Sequence, residues 1–266
     1  MLSKLIKYEV KATGRIFLPL LFALLLFAGI TRIITPLGPQ KFETPAMISM
    51  AIYISIMVGM FVMTFIMMIQ RFHKNLLSDE GYLMLTLPVK PWKHIVSKLL
   101  VSMLWIVVSG ITAFLSILII ALRKGDLTKI IVDMATAFDR VFEQLGSSIF
   151  VLSFEIILGL LIALASGILV VYASIAIGHL FSRHKMLASF GAFIALTSLS
   201  KVLVAIISLT PGINYFSSIN ISSNDFLGML PAIQWAFACG IIFTGLLCVI
   251  YFAVTNFILS KRLNLE

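Results

Sequence analysis

Six long stretches of this chain contain no Asp, Glu, Lys or Arg: residues 16–31, 44–70, 99–122, 156–182, 186–200 and 226–260. About 20 apolar residues in a helix cross the hydrocarbon core of a bilayer. The first and fifth stretches are slightly short, but the first has flanks that extend it. The fifth continues beyond Lys201 through residues 202–209. In hydrocarbon each backbone amide must be bonded within its own segment or a closed barrel. The runs are continuously apolar, without the alternation of barrel strands, so they predict six transmembrane helices.

Composition agrees with lipid as the main solvent. Of 266 residues, 61% are hydrophobic and 12% charged, against about 25% charged in soluble domains. The mean hydropathy is +1.11. Cys239 and Cys248 lie nine positions apart in one apolar run, on opposite faces of a helix, so they do not suggest a bridge. The basic start followed by an apolar run also fits a signal peptide. However, residues 16–34 are long for its apolar core and no small-x-small cleavage site follows.

With six crossings both termini share a side. If that side is the cytoplasm, the inner segments hold thirteen cations (Lys4, Lys7, Lys11, Arg15, Arg71, Lys74, Lys90, Lys93, Lys98, Arg183, Lys185, Lys261 and Arg262) and four acids. The outer segments hold seven of each. The whole net charge of +9 then falls inside, as the bias of Lys and Arg toward the cytoplasm requires. The charge therefore reads as membrane topology, and nucleic acid is not expected as a partner.

Three segments between the runs have their own pattern. Residues 1–14 read as an interfacial helix, with Leu2, Leu5, Ile6 and Val10 near one face and Lys4, Lys7 and Lys11 on another. Residues 126–145 place Leu127, Ile130, Ile131, Met134, Phe138, Val141, Phe142 and Leu145 opposite Lys129, Asp133, Arg140 and Glu143. That is an amphipathic helix on the outer surface, or an outward extension of the fourth span. Residues 211–231 are rich in Ser, Asn and Gly, the chemistry of loops. No tandem repeat or low-complexity linker divides the chain, so a single membrane domain over residues 1–266 is expected.

Catalytic signatures are missing. The sequence has no Walker A motif and no G-x-G pair to hold a phosphate. His73, His94, His179 and His184 are scattered, without the H-E-x-x-H spacing of a zinc site. No enzyme activity, metal or cofactor is expected on this chain. Glu155 and Lys201 are the ionisable residues read as nearest the membrane interior. Headgroup-level placement explains the first and snorkelling the second. Met57, Met60, Met63 and Met67 recur at helical spacing in the second run. Such a face suits helix packing, and it is the first candidate wall for a substrate path. Ala163 and Gly167, Ser174 and Gly178, and Gly191 and Ala195 mark small-residue packing faces.

The stretch from Arg71 to Lys98 carries five cations between two apolar runs. Within it Ser78 can cap a helix whose first turn holds Asp79 and Glu80. Tyr82, Leu83, Leu85 and Leu87 supply apolar surface, and Pro88 and Pro91 stop one helix and start the next. The residues Arg71-Phe72-His73-Lys74-Asn75-Leu76, followed by Ser78-Asp79-Glu80-Gly81-Tyr82-Leu83-Met84-Leu85-Thr86-Leu87-Pro88-Val89, resemble the loop of small bacterial ABC transporter permeases of the ABC-2 type.

The resemblance implies an all-α integral membrane protein with six transmembrane helices, an N-terminal interfacial helix and a cytoplasmic coupling helix between spans two and three. It implies both termini in the cytoplasm of a bacterial cell. It assigns the coupling role to Asp79, Glu80, Gly81, Tyr82, Leu83 and Pro88. The implied partners are a separate ABC ATPase dimer, which would hold ATP and Mg, and a second copy or related permease. Two other classes fit the bare topology: a standalone secondary transporter or channel, and a sensor or assembly protein that does not transport. The first of these ordinarily shows inverted repeats, broken helices and midplane polar residues, of which the sequence offers little.

Overall fold

The computed structural model describes residues 2–34, 43–77, 90–121, 126–181, 183–208 and 226–261. Every regular element among them is an α-helix: α1 (Leu2–Ile34), α2 (Glu43–Leu77), α3 (Pro91–Ala121), α4 (Asp126–Leu145), α5 (Ser148–Gly178), α6 (Lys185–Ser208) and α7 (Phe226–Lys261). All but α4 are long and apolar enough to cross a membrane. The expectation of an all-helical membrane protein with six apolar helices therefore holds.

The helices outrun the charge-free stretches, because intrahelical hydrogen bonds continue wherever the backbone can bond to itself. α1 is one unbroken helix through Gly14 and Pro19. The amphipathic residues 1–14 thus do not form a separate element: from Leu2 onward they are the first turns of a long helix. Likewise α2 continues past Gln70 to Leu77. α5 starts at Ser148, so Glu155 lies inside the helix rather than ahead of it.

Hydroxyl side chains within these apolar helices bond back to carbonyls three or four residues earlier. Thr64 donates to Met60 O, Thr112 to Val108 O, Ser174 to Val170 O and Thr255 to Tyr251 O, each at 2.6–2.8 Å. In this way a polar group in an apolar run finds its acceptor on its own helix.

The chain divides into two compact units, residues Met1–Val132 and Asp133–Glu266. Each contains three of the six apolar helices. In the first, α1 packs against α2 and α3. Its buried positions Phe17, Leu21, Leu24, Ala28 and Thr31 alternate spacings of four and three, the seam of helices crossing at a shallow angle. Tyr53, Met60 and Met67 of α2, with Val101, Trp105 and Ala113 of α3, complete this core. Polar cross-links pin its register. Thr31 donates to Ser49 O at 3.4 Å, Tyr53 Oη lies 2.8 Å from Ser116 Oγ, and Arg32 Nη1 donates to Ile119 O at 3.1 Å.

In the second unit α5 is central and packs against both α6 and α7. The stretch from Ile168 to Ala176 is buried without a break, together with Ser166 and Gly178. At Gly178 α6 comes so close that a Cβ there would overlap Ser189 Oγ and lie 2.6 Å from Ser189 N. Of the small-residue pairs read from the sequence, Ser174 and Gly178 are both buried, whereas Ala163 and Gly167 are exposed, as are Gly191 and Ala195.

Candidate functional site

The densest polar arrangement lies in the first unit, where the helices on either side of the 78–89 segment meet α1. Three helical registers converge. On α1, Glu9, Thr13 and Phe17 follow one another at four-residue spacing along the buried face. On α3, His94, Lys98, Val101 and Trp105 are buried at spacings of four, three and four. α2 brings Arg71 near its end.

Glu9 is the hub. Lys98 Nζ donates to Glu9 Oε1 at 2.6 Å, and Arg71 Nη1 lies 3.6 Å from Glu9 Oε2. The side chain of Lys98 is only 2% exposed, that of Glu9 11% and that of Arg71 26%. Arg71 therefore reaches solvent, while the buried Lys98 ammonium donates to Glu9. A buried pair of this kind is a weak source of net stability, but removing one partner strands the other at a cost of several kcal/mol.

A second layer holds the carboxylate's helix in place. Thr13 donates to Glu9 O at 2.8 Å and accepts from Trp105 Nε1 at 2.7 Å. The Trp105 ring stacks on Phe17 with centroids 4.5 Å apart and planes 11° from parallel. One turn before Lys98, His94 is 1% exposed, and its Nε2 has no hydrogen-bond partner among the described residues. A cavity of about 20 Å³ remains between Glu9, Thr13, Thr64, Arg71, Lys98 and Trp105, room for roughly one water. This is a latch between three helices.

Chemically, two cations on one carboxylate fix the spacing of three helices. The end of α2 and the start of α3 are both held to α1, so the helices that lead into and out of residues 78–89 share one anchor.

The residues expected to couple to a partner, Asp79, Glu80, Gly81, Tyr82, Leu83 and Pro88, lie outside the described residues. Of the methionine face, Met60 and Met67 are buried in the core of the first unit, Met57 packs against that core, and Met63 is half-buried. Glu155 and Lys201 form no ion pair among the described residues. Lys201 is exposed, and Glu155 is half-buried with Oε2 lacking a hydrogen-bond partner. Trp92 stands exposed at the start of α3 with Lys93 Nζ 5.6 Å from its ring centroid, as an interface anchor would.

Read from the sequence, Glu9 and Lys98 have no role beyond topology charge, and Arg71 none beyond that and its place in the loop motif. A signal was nevertheless present. Glu9 is the single acid in the first 42 residues, and it falls three, four and seven positions from Ile6, Leu5 and Leu2, on the apolar face. Compared with protein-family models, curated proteins and solved structures, the chain matches none.

Proposed function

We propose that this chain is the membrane-spanning permease subunit of an ATP-driven exporter of the ABC-2 type, with ATP hydrolysis on a separate partner. The observation that carries this reading is the segment from Arg71 to Val89, which resembles the permease coupling loop, lying between two apolar helices tied to a third by Glu9. Six apolar helices agree with such a subunit.

The mechanics follow from rigid packing. A short helix seated in a groove of a cytosolic ATPase moves when the ATPase dimer closes, and packed helices transmit such motion as bodies. Here the displacement enters at the end of α2 and the start of α3. Because Arg71 and Lys98 both hold Glu9, α1 moves with them. The first unit then shifts as a three-helix body, alternately opening a path to each side of the membrane against a second permease copy. ATP and Mg belong to the partner in this scheme.

The test is purification of the native complex in mild detergent. The proposal expects an ATP-hydrolysing subunit in stoichiometric amount with the tagged chain. Transport activity by the purified chain alone, without any nucleotide hydrolysis, would overturn it.

A further inference from the structure

The helix α4 has no part in that scheme, and it presents an unpaired apolar face. Every residue from 128 to 143 is exposed. At about 100° per residue, Met134, Phe138, Val141 and Phe142 fall within one arc. Asp133, Asp139, Arg140 and Glu143 occupy the opposite side. Met134 is 67% exposed and Phe138 57%, so no described residue covers this stripe.

Two observations say what does. First, the stripe runs into a surface that faces lipid. Phe138 stacks on Phe142 at 6.3 Å, and Phe142 meets Phe150 of α5 edge-on at 6.3 Å. Phe150 begins a row with Phe154, Ile157 and Leu161, spaced four, three and four apart and all exposed, on a helix long and apolar enough to cross a membrane. The α4 stripe therefore continues the outer apolar row of α5 at its starting end.

Second, α4 is tethered too tightly to stand away from the bilayer. It has 20 residues, a length of about 30 Å. Its last residue joins α5 through a turn at Gly146, whose φ of 53° ends one helix before the next begins. α4 is thus a separate helix and not an extension of the fourth span. At its other end, only residues 122–125 separate it from α3, a reach of about 17 Å at most. Consecutive spans meet the same membrane face, so a helix strung between them on such tethers reclines along that face.

We infer that α4 is an interfacial helix whose Met134, Phe138, Val141 and Phe142 side chains are sunk in the phospholipid of the face where α3 ends and α5 begins. The helix carries four acids (Asp126, Asp133, Asp139 and Glu143) against Lys129 and Arg140. Its attachment is therefore apolar and needs no anionic lipid, unlike basic surface helices that depend on headgroup charge. The inference stands whether or not the chain is a permease.

The test is spin-label accessibility on the full chain with Cys239→Ser and Cys248→Ser, reconstituted in vesicles of phosphatidylcholine and phosphatidylethanolamine without anionic lipid. Single labels go at positions 134, 138 and 141, and at 139 and 143 for comparison. Labels on the apolar arc are expected to favour membrane-dissolved oxygen over a water-soluble nickel chelate, and labels at 139 and 143 the reverse. Independent labels at 134 and 141 give the answer if the one at 138 disturbs assembly. Equal nickel accessibility on both arcs would place α4 in water and overturn the inference. Loss of access to both reagents at 134, 138 and 141 would show protein covering the stripe, a second copy included, and would also overturn it.

Discussion

At the scale of single residues, Glu9 decides whether the first unit holds together. Replacing it by Gln removes the carboxylate to which the Lys98 ammonium, 2% exposed, donates at 2.6 Å. Glu9→Gln is expected to cost about 3–5 kcal/mol of stability, read as a lower thermal midpoint in detergent. Glu9→Leu combined with Lys98→Met removes both charges, leaves Arg71 its access to solvent, and is expected to recover most of that loss. A double variant as unstable as the single one would mean that packing around the pair, not the stranded charge, sets the cost. Trp105→Phe removes the donor to Thr13 but keeps the stack on Phe17, and about 1 kcal/mol is expected. The sequence carried the position of Glu9 on an apolar face but not its partners. Lys98 lies 89 residues away, and only the packed helices bring the two together.

At the scale of elements, helix contact is set where side chains are smallest. Gly178→Ala places a Cβ against Ser189 backbone atoms 2.6 and 2.7 Å away, and a backbone cannot swing aside as a long side chain does. Overpacking of this kind costs about 1–3 kcal/mol. Gly167→Ala meets nothing within 4 Å and is expected to be neutral, or stabilising by up to about 1 kcal/mol through helix propensity. Thermal unfolding of the two variants side by side checks the contrast. The six apolar helices were legible because charge-free length is nearly sufficient evidence for a span. The ends were not, since a helix stops where its backbone loses a bonding partner rather than where the first charge stands. Hence α2 carries Arg71 and α5 carries Glu155 within helices that begin or end beyond the apolar runs. The small-residue spacing at Ser174 and Gly178 was visible. Nothing in the sequence distinguishes it from Ala163 and Gly167, which are both exposed.

At the scale of the whole molecule, the proposed function uses the orientation in which the excess of Lys and Arg faces the cytoplasm, and residues 71–98 with it. That orientation rests on Lys and Arg counts, because translocation of cations is disfavoured. The substrate is not written there, because apolar side chains that contact a hydrophobic cargo and those that contact lipid are of the same kind. Met60 and Met67 illustrate this: their helical spacing suits a path wall and a packing face alike, and in the first unit they lie among its buried residues. What the proposed function implies is a mechanical demand on residues 78–91. Glu80→Arg with Tyr82→Ala reverses the charge and removes the largest apolar knob of the proposed docking helix, while touching no apolar span. The decisive measurement is the ATP hydrolysis retained with this double variant after purification in mild detergent, beside the unaltered chain. The expected result is normal membrane insertion and yield with the hydrolysing partner lost. Substrate-stimulated hydrolysis undiminished in the double variant would contradict the coupling role.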